Sequence, residues 1–231
     1  MTNRELMELH VAALFSHDAS GRLVQVNEPN GAPAPRVFLG GTADGPVFRS
    51  RFDVHDDLRN TLEAACLNLA SSNHAWTDQI DPAPFRALLE RTAPVQRIWT
   101  GPAFSFPSDL PDAADAQRVT FDDVDLLRPF FADWIADVLA GCPLVATVVA
   151  DSAVAVCCSV RRTAAAHEAG VETAPAFRGR GFAVPAVAEW ARDVRARGCV
   201  PLYSTSWDNT ASRAVARKLN LLQFGSDLHI T

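Results

Sequence analysis

The segment Glu172-Thr173-Ala174-Pro175-Ala176-Phe177-Arg178-Gly179-Arg180-Gly181-Phe182-Ala183 constrains this chain more than any other stretch. An extended run meets a proline-led turn, two glycines flank an arginine, and an amphipathic helix follows at once. A loop of that composition turns successive backbone N–H groups into one concavity, and the helix start adds its partial positive charge. Small residues at Gly179, Gly181 and Ala183 let an anion approach the backbone closely. The expected occupant is a phosphate or diphosphate. Two familiar nucleotide loops are absent: there is no G-x-x-x-x-G-K-[ST], and no G-x-G-x-x-G with an acidic residue about 20 positions on.

The loop sits in the more regular half of the sequence. Helical segments are expected over 122–139, kinked at Pro129. Two apolar strands, 143–150 and 153–161, read as a hairpin turned at Asp151-Ser152, and a third strand at 166–173 leads into the loop. The following helix buries Val184, Val187, Ala188, Ala191 and Val194 and stops at Gly198. A strand at 200–207, a helix opened by Asp208 or Asn209 and running to Leu219, and a last strand at 222–230 complete the pattern. Upstream, a helix at 3–15 precedes strands at 22–27, 36–39 and 47–52, helices at 58–69 and 84–91, and a strand at 95–99. Residues 101–117 hold three prolines and no periodicity, so they read as a linker. The expected domains are a smaller N-terminal α/β module at 1–105, a linker at 106–118 and a second domain at 119–231. Helices interspersed with hairpins imply a mixed α+β architecture rather than an all-parallel sheet.

With 231 residues, 48% hydrophobic and 21% charged, the chain can bury a substantial core. A net charge of −6 argues against nucleic-acid or anionic-membrane partners, and no run approaches the length of a membrane span. The N-terminus reads as an amphipathic helix rather than a signal peptide. Five cysteines, odd in number and in apolar surroundings, point to free thiols in a reducing cytoplasm. No metal site is expected, since neither the cysteines nor the six histidines, His74 among them, show ligand spacing.

The order of these segments resembles the GCN5-related N-acetyltransferase (GNAT) superfamily over about residues 120–231. Arg178-Gly179-Arg180-Gly181-Phe182-Ala183 is similar to its acyl-CoA diphosphate loop, R/Q-x-x-G-x-G/A, and Asn209 through Leu221 to its Asn-led helix ending K-L-G-F. Asn220 replaces the usual Gly and Leu221 the usual aromatic. The resemblance implies a mostly antiparallel sheet with a splayed central strand pair, and acetyl-CoA as acyl donor. Val171, Glu172 and Thr173 would line the pantetheine arm, Arg178 through Ala183 the diphosphate, and Asn209 and Ser212 would approach from the far side of the gap. Asn209 also suits a simple helix cap, which is compatible with that role.

The reaction so implied is direct attack of an amine, on a small molecule or peptide, at the thioester. The ammonium must first lose a proton, and Glu168, His167 and Glu172 lie on the strand entering the loop. Alternate residues face opposite ways, so Glu168 and Glu172 share a face that His167 does not, and Glu168 is the favoured base. The tyrosine usual in the Asn-led helix is Ala216 here, which leaves Tyr203, the only tyrosine, or Ser206 as acid, or unassisted thiolate departure. The same substitution keeps a second expectation open, an acyl-CoA-binding sensor with little turnover. The N-terminal module would supply a wall of the acceptor pocket, a homodimer contact or a separate ligand-binding function.

Overall fold

The computed structural model describes residues 1–71 and 78–231. In chain order the elements are α1 Asn3–Leu14, β1 Phe15–His17, β2 Leu23–Val26, β3 Val37–Thr42, β4 Val47–Ser50, α2 Asp56–Ser71, α3 Ala83–Leu89 and β5 Ile98–Ser105. There follow β6 Ala116–Arg118, short 3-10 helices at Phe121–Leu127 and Ala132–Trp134, α4 Ile135–Leu139, β7 Leu144–Val149 and β8 Ser152–Arg162. The chain ends with β9 Ala166–Thr173, α5 Ala183–Ala196, β10 Val200–Ser204, α6 Thr210–Lys218 and β11 Leu222–Ile230. Among the described residues, no helix is long and apolar enough to cross a membrane.

The chain forms two compact units whose boundaries differ from the sequence expectation. One comprises 1–105 with 204–208 and 223–231; the other comprises 106–203 with 209–222. The C-terminal strand therefore belongs to the first unit. There, β11 runs antiparallel to β3 from Gly225↔Thr42 to Ile230↔Val37, and β4 continues the sheet outward. Its core gathers Val37, Leu39, Leu62, Ile80, Phe85, Leu89, Leu228 and Ile230. Helix α1 begins with a capping box between Thr2 and Glu5 and packs tightly on β3. A Cβ at Gly40 would run into the Met7 side chain, so glycine permits that approach. His10 of α1 and His229 of β11 each place Nε2 2.9 Å from Oδ2 of the fully buried Asp227. Burial alone would push that carboxyl up, but His229 and His10 outweigh it and hold it below the usual range.

The second unit carries strands in the order β10-β9-β8-β7-β6. β9 runs parallel to β10 and antiparallel to β8, while β7 is antiparallel to both β8 and β6. The β7–β8 turn places Ala150 and Asp151 at φ 46° and 58°, a left-handed pair that follows the right-handed twist of the hairpin. One sheet face packs Leu144, Ala146, Val156 and Cys158 against Leu127, Phe131 and Val138 from the helical segments. On the other face α5 buries Ala186, Val187, Trp190, Ala191 and Val194. Cys157 and Cys158 are both buried, and only Cys158 joins the first of these cores.

The linker expectation needs correction. Residues 98–105 form one strand although Pro102 lies within it, since its carbonyl still accepts from the Thr205 N–H at 3.3 Å. Residues 106–111 are fixed by two arginines of α5. Arg195 Nη2 donates to the carbonyls of Phe106 and Pro107, each at 2.8 Å, and Arg192 Nη2 donates to Leu110 O at 2.9 Å. Planar guanidinium forks thus satisfy carbonyls that proline-rich chain cannot pair in a ladder. Ala116–Arg118 then pairs with β7. The segment expected to be helical over 122–139 is broken instead: Thr120 and Asp123 cap a 3-10 turn, and regular helix appears only at Ile135–Leu139.

Candidate functional site

The glycine loop joins β9 to α5. Pro175–Phe177 forms a 3-10 turn, and Arg178 Nε donates back to Thr173 O at 3.1 Å, closing the base of the loop. Gly179 and Gly181 then take φ of +74° and +92°, conformations that L side chains rarely adopt. Helix α5 starts without a side-chain cap. Among the described residues, the N–H groups of Gly179, Arg180, Gly181 and Phe182 have no acceptor within the chain. Four consecutive open donors at a helix start make an anion cradle.

Lys218, in the last turn of α6, completes the cradle's electrostatics. Its Nζ lies 3.7 Å from where a Cβ on Gly181 would sit, and it forms no ion pair among the described residues. Sequence reasoning passed over this residue; its being the only lysine in an arginine-rich chain was the available signal. Within the loop, the Arg180 guanidinium rests against the rings of Phe177 and Phe182.

The strand entering the loop loses one neighbour partway along. β9 pairs with β10 only from Ala166↔Val200 to Glu168↔Leu202, whereas its pairing with β8 continues to Thr173↔Ala155. Beyond Glu168 the two parallel strands diverge. Val171, Glu172 and Thr173 lie on this divergent stretch, past the last β10 partner, with the Thr173 carbonyl taken by Arg178.

A family model described as GNAT acetyltransferase matches residues 144–223. Residues 144–223 form a GNAT acetyltransferase domain. No curated protein sequence matches the chain significantly. Similar solved structures include a GNAT-family protein from Novosphingobium aromaticivorans, 17% identical with a TM-score of 0.48. That match covers 59% of this chain and 65% of the other, so this chain spans under two thirds of that relative's length. A GNAT acetyltransferase from Colwellia psychrerythraea is 12% identical, with 87% and 82% of the two chains covered and a TM-score of 0.49. A GCN5-related N-acetyltransferase-like protein from Streptococcus suis is 16% identical, with 99% of each chain covered and a TM-score of 0.45.

Within the GNAT domain the candidate proton-transfer residues separate cleanly. His167 is buried toward α5: its Nδ1 lies 2.9 Å from Ser159 Oγ, which accepts from Trp190 Nε1 at 3.0 Å. Burial first, then Arg162 and Arg197, lower its pKa from the ordinary 6.5. Folding therefore favours the neutral ring. The stability it contributes is full above the unfolded-state pKa and is lost as pH falls from there through the lower folded value. The melting midpoint should drop as pH falls below the ordinary histidine value of 6.5, and drop less in His167→Asn. An unchanged slope in that variant would refute the assignment.

Glu168 alternates with His167 on β9 and is only 2% exposed. Glu172 is exposed and accepts from Trp134 Nε1 at 2.9 Å. That tie joins the strand to the helical segments and was not legible in the sequence. Tyr203, 2% exposed, places its hydroxyl 2.6 Å from Ser212 Oγ in the first turn of α6. Burial pushes its pKa up to about 12, against the partial relief of the Ser212 hydrogen bond. Asn209 caps α6, its Oδ1 accepting from the Ser212 N–H at 3.0 Å. Asn209, Ser212 and Tyr203 thus form one connected group, apart from His167. Among the described residues no group of three His, Cys, Asp or Glu side chains could hold a metal, and His74 lies outside those residues.

Proposed function

We propose that the protein is an acetyl-CoA-dependent N-acetyltransferase acting on an amine of a small molecule or peptide. The observation that carries this reading is the run of open N–H donors at Gly179–Phe182, directly after a strand that has lost its parallel neighbour. The diphosphate of acetyl-CoA suits the cradle and the Lys218 ammonium, and its amide-bearing pantetheine arm suits the divergent edge at Val171–Thr173. Arg178 holds the base of the loop, and Ala183 begins the helix that points at the anion. Asn209 and Ser212 approach from α6.

In the proposed reaction Glu168 takes a proton from the ammonium, directly or through water. The amine lone pair attacks the thioester carbonyl carbon, and backbone N–H groups of β9 stabilise the developing oxyanion. The C–N bond forms, the C–S bond breaks, the thiolate leaves, and the nitrogen gives up its remaining extra proton to solvent to leave a neutral amide. Tyr203 is the candidate donor of the proton the thiolate takes up. A phenol with a pKa near 12 remains protonated at neutral pH and is able to serve as an acid.

Calorimetric titration with acetyl-CoA, followed by thiol release across a panel of amines, tests the proposal. Binding with amine-dependent release supports it, and absence of acetyl-CoA binding refutes it. Lys218→Ala should weaken acetyl-CoA about tenfold and flatten the salt dependence of binding, as expected for loss of one charge-assisted contact. Unchanged affinity would remove Lys218 from the site. The sensor reading draws on one observation, the buried Ala216 where the resemblance expects tyrosine. Binding without release across the whole panel would favour it.

A further inference from the structure

The donor class is marked by an aromatic platform beside the diphosphate cradle, an inference that rests on the proposed acyl-CoA site. Arg180 is exposed, yet its guanidinium carbon lies 5.5 Å from the ring centre of Phe177 and 5.1 Å from that of Phe182. Those two rings meet edge to face, with centres 5.8 Å apart at 68°. Phe130, 46% exposed, backs Phe177 at 5.8 Å and 67°. An arginine needed only to supply charge requires no such bedding, because a solvated guanidinium neutralises phosphate from many rotamers. Here two phenyl rings bed the cation, and a third ring packs on one of them. A planar cation fixed beside a phosphate cradle is suited to stack on a purine.

We infer that Arg180, seated on Phe177 and Phe182 and supported through Phe130, stacks on the adenine ring of the donor. The enzyme would then select free acyl-CoA over an acyl group on a carrier protein's phosphopantetheine, which has no base to offer. β9 serves the pantetheine arm and the cradle the first phosphate, which the two donors share; the second phosphate and the base on the platform belong only to the nucleotide.

The test is titration of the full chain with CoA, dephospho-CoA and 4′-phosphopantetheine. Dephospho-CoA keeps the adenine but lacks the 3′-phosphate. Wild type is expected to bind CoA and dephospho-CoA each at least about tenfold more tightly than phosphopantetheine. Arg180→Ala should shrink that preference to about threefold or less, and Arg180→Lys, which keeps the charge but not the plane, should restore little of it. Phe130→Ala, at an exposed position whose loss leaves the core intact, should reduce the preference while phosphopantetheine affinity stays unchanged. Full preference retained in Arg180→Lys would overturn the stacking role. So would equal wild-type affinity for dephospho-CoA and phosphopantetheine, even with CoA bound normally. Failure of wild type to bind CoA at all would overturn the acyl-CoA reading itself, and this inference with it.

Discussion

Gly181→Glu should lower acetyl-CoA affinity by roughly 100-fold or more, the largest binding effect expected of any single substitution here. Three consequences act together. Gly181 sits at φ +92°, so any side chain strains the loop by about 1–2 kcal/mol. The new carboxylate brings a negative charge to the place where the diphosphate is held. It also grows toward Lys218 Nζ, 3.7 Å from the Cβ position, and would neutralise the cation that the ligand needs. Gly181→Ala isolates the strain and should cost much less. Both variants should keep the fold, since Gly181 lies half-buried in the turn just before α5 and outside the buried core. Calorimetry against acetyl-CoA, with thermal melting as the folding control, reads the effect. Affinity retained in a folded Gly181→Glu protein would remove the anion cradle from the account.

The second large effect is on turnover. Glu168→Gln should lower kcat by about 100- to 10,000-fold while acetyl-CoA affinity is preserved, as loss of a general base does. The substitution is nearly isosteric, so packing at this 2% exposed position on β9 is kept. Glu172→Gln is the contrast: its carboxylate is exposed and bonded to Trp134, so the rate should change little. A Glu168→Gln enzyme with wild-type kcat would shift the search for the base to another residue.

The local parts of this structure were legible because their causes are local. The alternating run entering the glycine loop gave β9 at Ala166–Thr173, and the last apolar run gave β11 at Leu222–Ile230, both with the expected ends. Asn209 fits the capping position for a chemical reason, and its side chain occupies it. What escaped the sequence was set by partners far along the chain. Residues 106–111 look unstructured until Arg192 and Arg195, more than 80 residues later, take up their carbonyls. The carboxyl-terminal strand reads as the end of the second domain, yet it pairs with β3 near the other end of the chain and carries Asp227 to His10. Lys218 belongs to the loop only because α6 ends beside Gly181, and no spacing in the sequence encodes that meeting. Composition also misread Pro102: a proline removes a donor, and this strand position calls on its acceptor.

The central claim is transfer of an acetyl group from CoA to an amine, and it is tested most directly by mass spectrometry of the acceptor. Wild-type protein is incubated with acetyl-CoA and a panel of small-molecule and peptide amines, and free thiol is followed in parallel. The account predicts that at least one amine gains a single acetyl group in step with thiol release, and that Glu168→Gln lowers both signals at least about 100-fold while still binding acetyl-CoA. Thiol release with no acetylated amine, or acetyl-CoA binding with neither product, would contradict it.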